Sequence, residues 1–196
     1  MGAKIPRRQL ILEALAAELE NNPGSRITTA ALARASGVTE AALYRHFASK
    51  AQMFEALIAF AEETIFTRIN QIMDEEKDTS ARCARMVYLL LGFAERNPGI
   101  MRVLLGDALT GEGERLLLRV ERLFGRLETQ LKQVLRESRL REDVSGQVAA
   151  EDGADIILGF VEGRMHRFLR SRFRKTPLEK WEQQWDIVAA SMFKAG

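Results

Sequence analysis

The sequence predicts an all-α protein of about nine helices, with an N-terminal helix-turn-helix domain (1–50) followed by a longer helical body (51–196). Two observations carry this. Apolar residues recur at intervals of three and four, as in Leu10, Ala14 and Ala17 or in Leu116, Val120, Leu123, Leu127, Leu131 and Leu135, which is the period of a helix with one buried face. No run of five residues alternates apolar with polar under β-branched enrichment, and only four prolines interrupt the 196 residues. With 46% hydrophobic and 29% charged residues, the chain has the material for a core and a solvated surface.

Stop and start signals divide the helices. A first helix over about 7–21 ends at Asn22-Pro23-Gly24. Short helices follow at 29–36 and 40–46. Ser49 with Gln52 three residues on forms a capping box that opens a long fourth helix to about Met73. The polar connector Asp74 to Asp78 reads as a solvated surface rather than a metal site, and a fifth helix spans Thr79 to Arg96. Asn97-Pro98 opens a sixth helix through Leu105, Gly111-Glu112-Gly113 precedes a seventh over 114–138, and an eighth covers about 148–173. Thr176-Pro177-Leu178-Glu179 reads as a capping box opening the ninth.

Several function classes lack their residues. Cys83 is the single cysteine and His46 and His166 are the two histidines, so no zinc-spaced cluster and no intrachain disulfide can form. Neither a His–carboxylate nor a Cys–His pair anchors catalysis, so no enzyme and no cofactor are expected. Cys83 lies on an apolar face with Met86, Val87 and Leu90 and reads as a buried thiol. The Gly111–Gly113 pair follows no strand and lacks the third glycine of a dinucleotide fingerprint. The longest apolar run, Met86 to Ala94, has nine residues, half the roughly 18 of a spanning helix. Residues 1–6 show no signal-peptide or myristoylation pattern, and a cytoplasmic location is the expectation. Residues 1–50 carry seven Lys/Arg against four Glu, whereas the remainder is close to neutral, so an anionic partner is expected at the N-terminal end.

The segment Thr28–Phe47 supplies the motif. Two short helical stretches flank Ser36-Gly37-Val38, with Ala33 small where helices cross, Gly37 free to take positive φ, and Leu32, Val38, Leu43 and Phe47 directed inward. The outward residues of the second stretch can meet phosphates and base edges through hydroxyls, ring donors and cations. The candidate DNA-binding set is Thr28, Thr29, Thr39, Ala41, Tyr44, Arg45, His46 and Lys50. The basic stretch Arg164 to Lys175 could touch DNA or a membrane, or simply complete a helix end with Phe168 and Phe173 packed inward.

Gly37-Val38-Thr39, then Ala42 through Phe47 and Ser49-Lys50, resembles the signature of TetR-type regulators. Arg26–Ala30, Thr67–Asn70, Asp74–Arg82 and Leu89–Gly99 are similar to one branch of that family, the nucleoid occlusion factors. The resemblance implies a homodimer on a palindromic duplex at the nucleoid. It also implies a groove between the fourth and fifth helices that holds the C-terminal tail of the division protein FtsZ and antagonises its assembly. Phe60 and Leu89 would then give apolar contacts, Gly92 close approach, and Arg68 and Arg96 charge, with Asn97 beside them. From spacing alone, Leu89 reads as core, Gly92 as helix packing and the arginines as solvated ends, and only the resemblance favours the groove. The rival is a repressor released from its operator by a hydrophobic ligand in a cavity lined by Met53, Met73, Met86 and Met101. The dimer surface is expected on the last two helices, at Ile156, Phe160 and Gly163 and at Trp185, Val188 and Met192. Trp181 and Trp185 form one stripe of packing.

Overall fold

The computed structural model describes residues 6–141 and 148–193, with backbone alone for 138–141; the first five residues lie outside the described residues. Among the described residues there are nine α-helices and no strand: α1 (Arg7–Asn21), α2 (Thr29–Ser36), α3 (Glu40–His46), α4 (Lys50–Glu75), α5 (Thr79–Arg96), α6 (Pro98–Leu104), α7 (Glu114–Arg141), α8 (Ala150–Arg170) and α9 (Trp181–Phe193). A 3-10 turn, Asp107–Leu109, which the sequence reading did not anticipate, follows α6. The chain forms two compact units, each discontinuous: Met1–Glu62 with Asn97–Val120, and Glu63–Arg96 with Glu121–Gly196.

In the first unit, the stripe Ile11, Leu15 and Leu19 of α1 is buried with Leu32, Leu43, Phe47, Met53, Phe54 and the apolar face of α6. α6 lies against α1 at backbone distance. A Cβ at Gly99 would fall 2.0 Å from the Ala16 carbonyl oxygen, so only glycine permits this crossing. Three residues on, Arg102 is 1% exposed. Its Nη1 donates to the carbonyls of Leu19 (2.7 Å) and Asn22 (2.9 Å) at the end of α1, and its Nε pairs with Asp107 at 2.6 Å. Helix C-terminal carbonyls have no partner within the helix, and the guanidinium supplies one.

In the second unit, α5 contributes Cys83, Met86, Val87, Leu90, Leu91, Phe93 and Ala94 to the core, facing Ala154, Ile157, Leu158 and Val161 of α8. Cys83 is fully buried, and desolvation pushes its thiol up to about 12. Arg82, 4% exposed, repeats the device of Arg102. It donates to the Glu76 (2.6 Å) and Met73 (2.9 Å) carbonyls at the end of α4 and pairs with Glu137 at 3.0 Å. The turn it braces is tightened by Glu76, whose carboxylate accepts the Lys77 and Asp78 amides and is held below its ordinary value by them. Asp78 caps α5 through the Ala81 amide at 2.7 Å.

Two sequence expectations fail here. α9 begins at Trp181 rather than at Thr176-Pro177, because Arg164 takes the Pro177 and Glu179 carbonyls at 2.6 Å each and Glu95 accepts the Leu178 amide at 3.2 Å. Lys180 then sits at φ 55°, and no helical turn can pass through it. Trp185 and Met192 are also not on an open surface. Each is 4% exposed, with Trp185 packed on Phe160 at 6.3 Å between ring centres. Trp181 instead pairs with Tyr88 at 5.5 Å.

Arg102→Ala strands the two α1 carbonyls and Asp107, and should lower unfolding free energy by about 3 kcal/mol. Urea denaturation would show this as a lower midpoint at unchanged slope.

Candidate functional site

The helix-turn-helix is set by three local devices. Thr28 and Thr39 cap α2 and α3, their hydroxyl oxygens each accepting an amide, from Ala31 and Ala42, at 3.2 Å. Gly37 occupies the left-handed region (φ 64°, ψ 34°), where a side chain is disfavoured, and the Val38 amide closes the turn on the Ala33 carbonyl at 3.0 Å. Ala33 is buried at the crossing. Each capping threonine keeps its own O–H to donate, so the geometry that starts the helix leaves a phosphate donor at its tip.

α3 presents Ala41, Tyr44, Arg45 and His46 on its exposed side, with Tyr44 48% exposed, while Leu43 faces the core. Phe47 is buried at the end of α3, beneath the Arg8 guanidinium at 4.4 Å. Thr29 differs from its neighbours. It is half-buried and donates its hydroxyl to Glu40 Oε2 at 2.8 Å, tying α2 to the start of α3.

Lys50 departs most from the expected set. Its side chain is 15% exposed, and its ammonium is 2.5 Å from Glu112 and 2.6 Å from the Ile27 carbonyl. Arg26 approaches the same carboxylate at 3.6 Å. Lys50 therefore faces into the unit, joining the start of α4 to the loop before α2 and to the loop of Gly111 and Gly113. Those glycines have φ of 78° and 101°, and between them Glu112 is turned inward. An isolated acid between two glycines carries no sequence signal for this pairing, which only the tertiary fold creates.

The six residues expected in the peptide groove fall in both units. In the second unit, Arg68, Leu89 and Arg96 line one cleft of about 300 Å³, together with Gln71, Ile72 and Glu75 of α4 and Arg85 and Tyr88 of α5. Arg68 donates to Gln71 at 2.9 Å, and Arg85 pairs with Glu75 at 2.9 Å at the end near the α4–α5 turn. Three guanidiniums thus share a half-apolar cleft with one carboxylate. Gly92 is buried beneath this face, and a Cβ there would come within 3.2 Å of Arg96 Nη1, so the glycine makes room for that guanidinium. In the first unit, the half-exposed Phe60 and Asn97 line a more apolar cleft of about 450 Å³ with Leu12, Leu57 and Ile100. The sequence reading missed Arg85 and Tyr88; Arg85, four residues before Leu89, shares its face of the helix, whereas Tyr88 is adjacent to Leu89 and its place in the cleft carries no spacing signal. Met53, Met86 and Met101 are wholly buried core residues and line neither cleft.

Residues 11–57 match the family model of bacterial regulatory proteins of the tetR family, and residues 77–192 match that of the SlmA-like tetracyclin repressor-like C-terminal domain. The chain is 54% identical over 192 residues to the nucleoid occlusion factor SlmA of Shewanella amazonensis, covering 98% of both chains. It is 56% identical over 182 residues to that of Alteromonas mediterranea, covering 93% of both. Among solved structures, the MbdR regulator of Azoarcus sp. CIB superposes with a TM-score of 0.81 at 15% identity, over 96% of this chain and 100% of that one. The fatty acid degradation regulator FadR of Bacillus halodurans gives 0.79 at 13% identity, over 99% and 100%. At those identities the likeness is one of fold.

The inward Lys50 gives a sign test. Glu112→Gln removes a negative charge, which by general electrostatics strengthens DNA binding, yet it releases the clamp and should weaken it about fivefold, on the order of 1 kcal/mol. Lys50→Ala should weaken binding without the loss of about one unit in salt slope that a phosphate contact would carry. A titration of duplex binding from low to high salt reads both.

Proposed function

The chain belongs to the SlmA nucleoid occlusion factors of the TetR family, and we propose that, while bound to chromosomal DNA, it holds the C-terminal tail of FtsZ and antagonises FtsZ assembly over the nucleoid. It works in the cytoplasm as a nucleoid-associated homodimer on a palindromic site. The observation that carries the reading is the α4–α5 cleft, where Arg68 and Arg96 flank the apolar surface of Leu89 and Ile72. From Arg85 to Arg96 is 11 residues of helix, about 16 Å, a length that five extended residues span. An extended peptide laid there meets charge-assisted donors at Arg68 and Arg96 and apolar surface between. Phe60 and Asn97, the other two residues of the expected groove, belong to the first unit and line its own apolar cleft.

On DNA, Thr28 and Thr39 donate from the helix starts to phosphates, and Tyr44, Arg45 and His46, with Ala41 beside them, face the major groove. Thr29 and Lys50 act behind this surface, holding Glu40 and Glu112. One recognition helix of seven residues reads few base pairs, and a two-fold dimer doubles the site. The face of α8 suits the dimer. Ile156 is 46% exposed, and Cβ atoms at Gly159 and Gly163 would meet nothing within 4 Å, so a second helix can approach closely. On α9 the exposed apolar residue is Ile187, at 74%, in place of Trp185 and Met192.

Two surfaces with independent work can be separated by mutation. Arg96→Ala should leave DNA binding intact and weaken binding of an FtsZ tail peptide about tenfold or more, whereas Tyr44→Ala should weaken DNA binding and keep the peptide. Fluorescence anisotropy with labelled peptide and labelled duplex measures both, and absence of peptide binding by the DNA-bound wild type would overturn the FtsZ reading. Gly163→Leu should push α8 from its symmetry mate and give monomers by light scattering, with DNA affinity reduced in step.

A further inference from the structure

The end of α8 carries a feature that neither the DNA-reading surface nor the peptide cleft uses. Residues 163–178 contain no Asp or Glu but hold Arg164, His166, Arg167, Arg170, Arg172, Arg174 and Lys175. Arg164 is consumed internally, by the Pro177 and Glu179 carbonyls and by Gln184. Four of the others converge. Arg167, Arg170, Arg174 and Lys175 line, with Ser171, a cleft of about 300 Å³.

That convergence is built by the backbone. Arg172 and Phe173 both take the left-handed conformation (φ 52° and 62°), which disfavours side chains and reverses the chain immediately after α8. Ser171 holds the reversal: its hydroxyl donates to the Phe168 carbonyl at 2.8 Å and accepts the Lys175 and Arg174 amides at 2.9 and 3.2 Å. Phe168 and Phe173 lock it from inside, edge to face at 5.1 Å. Arg174 Nε is fixed on the Ser171 carbonyl at 3.0 Å.

The cations are not there to finish the helix. The Arg167, Phe168 and Leu169 carbonyls at the end of α8 already accept the amides of Ser171, Phe173 and Arg172 at 3.0, 2.9 and 2.8 Å. Among the described residues, none of the four cleft cations has an acidic partner. Four like charges drawn together by a strained turn, with no countercharge of their own, are arranged for an anion.

We infer that this cleft is a binding site for a soluble, multiply charged phosphate compound, whose oxygens are met by Arg167, Arg170, Arg174 and Lys175. Arginine forks match the geometry of phosphate oxygens, and several donors around one concave site select for a polyanion over a single carboxylate. A membrane surface fits less well, because the phenylalanines of this segment are turned onto one another and no large apolar side chain among the cleft residues is free to enter lipid.

The probe is inorganic tripolyphosphate, titrated into the full-length protein by calorimetry at 150 mM salt. The expected result is one site per chain with a dissociation constant on the order of 10 µM, weakened tenfold or more by Arg170→Glu. Ser171→Ala keeps every charge and removes the pivot of the turn, so it should weaken binding severalfold; unchanged affinity would show diffuse attraction and overturn the site. Absence of saturable binding overturns it as well. So does retention on anionic phosphatidylglycerol vesicles that tripolyphosphate fails to displace, or displacement of tripolyphosphate by a non-operator duplex, since these assign the cations to lipid or to DNA.

Discussion

Helix ends without partners are the recurring problem of this fold, and buried arginines are its recurring answer. A helix leaves its last carbonyls unbonded, and burying them against another helix would cost about 1–3 kcal/mol apiece if nothing replaced water. Arg102 closes α1, Arg82 closes α4, and Arg164 holds the turn that leads into α9. In each case one planar fork reaches carbonyls that a shorter or single-pointed cation could not serve together. Two of these guanidiniums also hold a carboxylate, Asp107 or Glu137, so the buried charge is both hydrogen-bonded and paired. The geometry of the DNA-reading end follows from the first of them, because α1 carries the stripe on which the motif packs and α6 is fastened to α1 through Arg102 and Gly99.

The same economy governs the reading head. Thr28 and Thr39 each spend an acceptor on helix capping and keep a donor for outward use. Thr29 and Lys50, by contrast, commit their donors inward, to Glu40 and Glu112. Charge alone does not mark a nucleic-acid contact; what counts is whether the group has an intramolecular partner already. By that criterion Arg45 and His46 belong to the surface and Lys50 to the scaffold. The rule also separates Arg164 from the rest of its basic stretch.

In the α4–α5 cleft the balance is different. Arg68 and Arg85 rest on Gln71 and Glu75, contacts exposed enough for a ligand to exchange. The cleft floor is half apolar, and the turn at its end is stiffened by Arg82, Glu76 and Asp78. The cleft is thereby set on rigid elements, with side chains whose present partners are exposed.

The helices, the turn at Gly37 and the family of this chain were legible in the sequence, because periodicity and left-handed glycines act over four residues or fewer and need no distant partner. The start of α9 was not, because Thr176-Pro177 satisfies the local rule for a helix start while Arg164, distant in sequence, takes the carbonyls such a helix requires. Nor was the inward turn of Lys50, whose partner Glu112 lies 62 residues away, or the grouping of Arg85 and Tyr88 with Arg68 and Arg96. Sequence alone determined which residues carry donors, cations and apolar faces. Tertiary structure decided which of those donors were already spent, since a side chain's free valence depends on neighbours that chain distance does not specify.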